Sequence, residues 1–208
     1  MESNPFTSIY PPQKRVIAIG DIHGDLDVLK LCLSDLAEVI IDKGEKGNWK
    51  DYQWKGKDTH VVLLGDMIDR FRLDRYTMSA QTIIDEMGKT PGEIKHEELK
   101  IIKFINQINK QAEKEGGKII KLVGNHEILN INQDVHYASP YSLKTPIQVG
   151  GHKYDRKKFF SPGNPGAKLL IEDGIGAIVK IGDWIFVHGG IAHTLRNTSI
   201  FFNHTHFW

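Results

Sequence analysis

The chain has 208 residues, 40% hydrophobic and 25% charged, the composition of one soluble globular domain with room for a substantial core. Its formal net charge of +1 gives no argument for a nucleic acid or a membrane surface as partner, and no apolar run is long enough to cross a bilayer. Cys32 is the single cysteine, which excludes an internal disulfide and fits a reducing, cytoplasmic compartment.

Residues 1–14 are polar and proline-containing and read as an extended lead-in without a signal-peptide core. Arg15–Ile19 reads as a buried strand ending in Gly20-Asp21-Ile22-His23-Gly24. Gly20 and Gly24 would allow a sharp turn there. Asp25 is a suitable helix N-cap, and Leu29, Cys32, Leu33, Leu36 and Ile40 recur at helical spacing. Residues 42–58 are polar and glycine-punctuated, a surface insertion in the form of a loop or short hairpin. Its aromatics Trp49, Tyr52 and Trp54 are expected to pack onto the domain. His60–Leu64 is the next strand and runs into Gly65-Asp66-Met67-Ile68-Asp69-Arg70. A helical stretch follows to about Met87, and Thr90-Pro91 opens another whose stripe is Ile94, Ile101, Ile105, Ile108 and Ala112, ended by Gly116-Gly117. Lys118–Val123 is a third strand, leading into Gly124-Asn125-His126-Glu127. The stretch from Ile131 to Pro162 reads as loop-rich, and its basic cluster His152–Lys158 reads as a solvated face. Asn164-Pro165 caps a short helix, and strands follow around Ala177–Val179 and Trp184–Val187, the second ending in His188-Gly189-Gly190. Without repeats or an internal boundary, residues 1–208 read as one α/β domain.

One event recurs along the chain. An apolar strand ends, and glycine with Asp, Asn or His follows at once: at Asp21 and His23, at Asp66, at Asn125 and His126, and at His188. If these strands share a sheet, the polar side chains gather on one edge, where ligands bind in α/β proteins. Carboxylate, amide and imidazole groups gathered without balancing lysines call for cations, and oxygen and nitrogen donors without thiolate suit Mn, Fe, Zn or Mg. The donors suffice for two ions bridged by one carboxylate, a geometry that activates water and clamps a phosphoryl group in in-line displacement. A His outside the ligand set could protonate the leaving oxygen, an Asp could orient it, and an Arg could grip phosphate. Cys32 lies in a helical stripe without a phosphate-cradling loop, which argues against a cysteine nucleophile.

The ordered set Gly-Asp-Ile-His-Gly at Gly20, Gly-Asp-x-x-Asp-Arg at Gly65, Gly-Asn-His-Glu at Gly124 and His-Gly-Gly at His188 resembles the calcineurin-like metallophosphoesterases. More narrowly it resembles the phosphoprotein phosphatases, and among these the Shewanella-like, bacterial-type members. The resemblance covers roughly residues 15 to 195. It implies an αββα sandwich of mixed sheets flanked by helices. It implies two divalent ions, manganese foremost with iron or zinc as alternatives. Asp21 and His23 would bind the first ion, Asp66 would bridge, and Asn125 and His188 would bind the second. His126 would be the general acid, Asp69 its support, and Arg70 with Asn125 the phosphate contacts. The implied reaction is hydrolysis of a phosphomonoester on a phosphoprotein or phosphopeptide by a hydroxide held between the metals. The alternatives are dinucleoside-polyphosphate or phosphodiester hydrolysis on the same scaffold, and a non-catalytic phosphate-binding domain. Two departures stand out. Phe71 occupies the usual glycine position after Asp69-Arg70, and the family's later metal-binding His has no clear counterpart. His193, His204 and His206 are the only later histidines, His204 or His206 the candidate substitutes, and the chain is expected to be shortened at its C-terminal side.

Overall fold

The structure, a computed structural model, describes residues 6–44, 48–69, 97–138, 142–143 and 145–191. Arg70, the helical stretches expected within residues 71–96, and His193, His204 and His206 lie outside the described residues.

Ten strands and five α-helices are formed among the described residues. They are β1 (Ile9–Tyr10), β2 (Val16–Ile19), α1 (Leu26–Leu31), β3 (Ile40–Asp42), β4 (Tyr52–Trp54) and β5 (His60–Leu63). Then come α2 (Glu97–Lys114), β6 (Lys118–Lys121), α3 (Asn125–Ile131), β7 (Ile147–Val149), β8 (His152–Tyr154), α4 (Arg156–Phe160), α5 (Pro165–Ile171), β9 (Ile178–Ile181) and β10 (Trp184–Val187).

The strands β2, β5 and β6 pair in parallel in the order β2-β5-β6, Ala18 opposite Val62 and Val62 opposite Ile120. Parallel pairing brings their carboxyl ends to one edge. A second sheet has the order β1-β9-β10, with β1 parallel and β10 antiparallel to β9. The period of two along a strand explains the stacking. Ile19, Val61, Leu63 and Ile119 point to the helices and pack with Leu29, Leu33, Ile101, Phe104 and Ile105. Their neighbours Val62, Ile120 and Leu122 point the other way and meet Val179 and Ile181 of the second sheet, with Tyr10 and Phe186 against them. Helices, first sheet and second sheet are thus successive layers, three of the four layers of the expected αββα sandwich.

Several local expectations are corrected. The strand that ends at His188 belongs to the second sheet, not to the sheet of the other motifs. The lead-in contributes β1, because its backbone pairs with β9 at Ile9–Lys180. The helix after Asp25 ends sooner than the spacing suggests. Asp25 caps it through Oδ1 to the amides of Asp27 and Val28, both at 3.1 Å, but the chain passes through a π turn at Cys32–Leu36 and enters β3. Leu36 is 73% exposed and Ile40 is a buried strand residue, so neither continues a helical stripe. The insertion expected at 42–58 begins two residues earlier as a strand, and β3 and β4 close an antiparallel hairpin that α2 pins down, Gln111 Oε1 accepting from the Trp54 amide at 2.9 Å. Trp54 is buried, and Trp49 and Tyr52 pack against the core, as expected for these aromatics. The stretch 131–162 holds more regular structure than its composition suggests, with hairpin β7–β8 and helix α4.

Lys121, at the end of β6, is 2% exposed. Its Nζ donates to Asn106 Oδ1 at 2.8 Å, to Leu170 O at 2.9 Å and to Glu172 O, joining β6 to α2 and α5. Burial pulls the amine down to about 8, against the charges of Asp173 and Glu172 that favour its cation. Lys121→Met should destabilise the fold by about 1–3 kcal/mol at pH 7, because buried acceptors lose their donor. The unfolded amine, near ~10.4, binds more protons than the folded one above pH 8, so the wild-type contribution rises with pH through that window. Urea denaturation should therefore show the gap between wild type and variant widening from pH 7 to pH 10.

Candidate metal centre and acid group

The site is built where the ends of β2, β5 and β6 meet. Two loops touch there because neither carries a side chain at the contact. A Cβ on Gly65 would lie 2.5 Å from the Gly124 amide nitrogen, and one on Gly124 would lie 2.1 Å from Asp66 Oδ1. Gly65 also has φ +106°, a conformation that L side chains rarely adopt. Gly24 uses the same freedom at φ 71°, whereas Gly20 has neither a positive φ nor a close neighbour, so the expected requirement for glycine holds only at Gly24.

The close approach lets one buried carboxylate tie the loops together. Glu127 accepts from the amides of Asp66 at 2.8 Å, Met67 at 2.8 Å, Ile68 at 3.4 Å and Gly124 at 2.9 Å. Its burial is complete and pushes the carboxyl up, while these donors pull it down without cancelling the effect. The opening turn of β2's loop is tied in as well, the amides of Ile22 and His23 donating to Asp66 O at 3.1 and 2.8 Å.

Asp66 is the centre. Its Oδ1 accepts from the His126 amide at 3.0 Å, at the start of α3, which anchors the carboxylate. Its Oδ2 faces three imidazoles, lying 3.7 Å from His23 Nε2, 3.9 Å from His126 Nε2 and 3.3 Å from His188 Nε2. Asp21 stands beside this group, Oδ2 being 3.4 Å from His23 Nε2 and Oδ1 3.8 Å from His188 Nδ1. Two clusters share Asp66: His23, Asp66 and His126, and Asp21, Asp66 and His188, the donor atoms of each within 4.8 Å of one another. The grouping differs from the set implied by the family resemblance, which joins Asp21 to His23 and leaves His126 out.

The donor chemistry fits divalent cations. His188 Nδ1 donates to Leu64 O at 2.9 Å, which turns Nε2 toward Asn125 Oδ1 at 3.0 Å and Asp66 Oδ2. A backbone carbonyl orienting one ring nitrogen while the other is free to ligate is the usual arrangement behind metal-binding histidines. Asp21, Asp66 and His188 thus bring carboxylate and imidazole donors within reach of one cation.

His126 differs in its partner. Its Nδ1 hydrogen-bonds Asp69 Oδ2 at 2.8 Å, and both side chains are buried. Burial opposes the imidazolium, but the Asp69 hydrogen bond and the charges of Asp66, Asp69 and Glu127 outweigh it, so its pKa is raised. The Tyr137 ring lies against it, centroids 5.0 Å apart.

The calcineurin-like phosphoesterase family model matches residues 14–208. The chain belongs to the calcineurin-like phosphoesterases. It is 32% identical over 131 residues to Shewanella-like protein phosphatase 2 of Arabidopsis thaliana, spanning 63% of this chain and 25% of that protein. It is 30% identical over 186 residues to Shewanella-like protein phosphatase 1 of Plasmodium berghei, spanning 89% of this chain and 41% of that protein. Its fold matches the cold-active protein-tyrosine phosphatase of a psychrophilic Shewanella species with a TM-score of 0.62 at 22% identity, covering 92% of this chain and 46% of that one. The chain thus spans under half the length of these relatives.

Of the site residues expected in this phosphoesterase, Asp21, His23, Asp66, Asp69, Asn125, His126 and His188 converge, while Arg70 lies outside the described residues. Sequence reasoning missed Arg156. Its sequence neighbourhood reads as a solvated basic face, yet it is 1% exposed and reaches Asp69 Oδ1 at 2.7 Å. The signal was present: Arg156, Phe159 and Phe160 have i, i+3, i+4 spacing after the N-cap Asp155, so they share the buried face of α4. Its neighbours Lys157 and Lys158 are exposed, as read.

Glu127→Gln keeps the shape but turns an amide NH2 toward backbone N–H groups and frees the Asp66 turn. Calorimetric titration with Mn²⁺ should give about 10–100-fold weaker binding than wild type, the usual loss when a group orienting the ligands is altered.

Proposed function

We propose that this calcineurin-like phosphoesterase is a metal-dependent phosphomonoesterase acting on phosphoprotein, with His126 as general acid. The observation that carries the reading is the His126 imidazole itself. One ring nitrogen is held by buried Asp69, and the other faces the carboxylate cluster at Asp66 Oδ2, 3.9 Å away. In a group so placed, the Asp69 hydrogen bond and the nearby carboxylates raise the pKa against the effect of burial and favour the proton-carrying form that an acid needs.

Two divalent ions are the proposed cofactors, manganese foremost and iron or zinc as alternatives, and Asp21, His23, Asp66, Asn125 and His188 are the residues that would hold them. When bound they would acidify water and screen the charge of the phosphoryl group. Asp66, anchored through Oδ1 to the His126 amide, keeps Oδ2 presented to the cluster. His126 gives the proton on Nε2 to the departing alkoxide, and Asp69 stabilises the cation before transfer and fixes the ring afterwards. Asn125 and Arg70 are the proposed phosphate contacts. A phosphoprotein substrate, rather than nucleic acid, is supported by the relatives named as protein phosphatases and by the near-neutral net charge. A cytoplasmic location is supported by the lone cysteine, and no helix among the described residues is long and apolar enough to cross a membrane.

Hydrolysis of p-nitrophenyl phosphate and of a phosphopeptide, with Mn²⁺ and with excess chelator, tests the proposal. Wild type should turn over both substrates only with metal, and His126→Asn should lower phosphopeptide turnover by about 10²–10⁴-fold. Wild-type rates equal to buffer would overturn the catalytic reading. Preferential turnover of diadenosine tetraphosphate would move the substrate class to dinucleoside polyphosphates.

A further inference from the structure

The acid group has a support that the family motifs do not contain. Asp69 is 1% exposed, and both oxygens of its carboxylate are engaged. Oδ2 accepts from Asn130 Nδ2 at 2.7 Å and faces His126 Nδ1 at 2.8 Å. Oδ1 accepts from Arg156 Nη2 at 2.7 Å. Arg156 is itself fixed on three other sides. Its Nε donates to Asn130 Oδ1 at 2.8 Å, and Nη1 donates to Ser142 Oγ at 2.8 Å and to Glu98 Oε2. Glu98 closes the loop, Oε1 accepting from the Asp69 amide at 3.1 Å. Asn130 adds a bond to His126 O at 2.9 Å, and the Phe160 ring packs under the guanidinium, its centroid 5.2 Å from Cζ.

We infer that Arg156 is a positioning residue for the acid, a buried guanidinium that fixes Asp69 so that His126 carries its proton on Nδ1 toward Asp69 and presents Nε2 to the metal cluster. The inference rests on the reading of His126 as general acid. Three facts carry it. The guanidinium fork alone matches this set of acceptors, since a lysine ammonium has no planar array that could span Asp69, Asn130 and Glu98 together. Asp69 sits at φ 64°, in the left-handed region, a conformation that a non-glycine residue keeps only where its surroundings hold it. And Asp69 and Glu98 are buried carboxylates on either side of Arg156, so removing the guanidinium leaves two buried carboxylates without the cation between them. A carboxylate that rotates away, or turns its other oxygen to Asn130, no longer holds the His126 tautomer. In Ser-His-Asp enzymes, loss of the correct tautomer alone costs catalysis heavily.

The first test uses metal-free protein and does not depend on turnover. The His126 Nδ1–H, bonded to a buried carboxylate, should give a far-downfield proton NMR line that is absent in His126→Asn. In Arg156→Met the line should vanish or move strongly upfield, and in Arg156→Lys it should return in part. The second test compares p-nitrophenyl phosphate, whose leaving group needs little protonation, with an alkyl phosphate, whose leaving group needs much. In Arg156→Met the kcat/KM for the alkyl ester should fall at least about tenfold further than that for the nitrophenyl ester. Both rates come from one preparation, so a lower folded fraction leaves their ratio unchanged. Where Arg156→Met fails to fold, Arg156→Lys carries the same two comparisons. An unshifted line with equal losses on both esters overturns the inference. If His126→Asn itself spares the alkyl ester, the general-acid reading fails instead, and the NMR line still reports whether Arg156 orients the ring.

Discussion

The buried carboxylate of Glu127 joins the ends of two strands that are far apart in the chain, and the site depends on that join. An ionisable group with no exposure would ordinarily be a liability. Here the amides of Asp66, Met67 and Gly124 converge on it within 2.9 Å and offset the loss of water. The turn after β5 and the start of α3 are thereby one unit. Four residues of the candidate site hang from that unit: Asp66 on the turn, Asp69 three residues on, and Asn125 and His126 on the first helical residues. Gly65 and Gly124 make the approach possible, because a side chain on either would collide with the opposite backbone or with Asp66.

Strain collects in the same place. His23, Asp66 and Asp69 all have positive φ, at 46°, 51° and 64°, and each bears a side chain of the candidate site. Non-glycine residues in that region cost energy unless the surroundings over-determine them. The surroundings do so: Asp66 O takes two amides from the loop after β2, Glu127 holds the Asp66 amide, and Glu98 holds the Asp69 amide. Carboxylates and imidazoles that would repel or splay in a flexible loop are held pointing inward by backbone geometry. A cation can then enter a prepared set of donors instead of organising one.

Charge is handled differently on the two sides of His126. Toward the cluster, Asp21, Asp66, His23, Asn125 and His188 are gathered without a lysine or arginine in contact with them among the described residues. Behind His126, Arg156 supplies positive charge, sandwiched between Asp69 and Glu98. One pair of carboxylates is left for metals, and the other shares a single buried guanidinium. That division keeps Asp69 an acceptor for His126 and leaves Asp66 available to cations.

Much of this was legible in the residues. Apolar runs of four or five followed by glycine and a metal-type donor located β2, β5, β6 and β10 and nearly all the converging side chains, because strand ends and chelating residues have short-range signatures. The helical spacing of Ile101, Ile105, Ile108 and Ala112 likewise found the buried face of α2. What short-range pattern could not decide was partnership across the fold. His188 looked like one more strand-end residue of a common edge, whereas it crosses from the second sheet and is aimed by the Leu64 carbonyl. Arg156 looked like one of several solvated cations, and only packing of α4 against α3 turned it toward Asp69, because burial of a charge is settled by partners contributed from distant segments. The opening Asp-x-His turn was recognisable from its own residues. Which ligands it shares, and how the acid beside it is braced, were decided by tertiary contacts between positions some sixty to ninety residues apart.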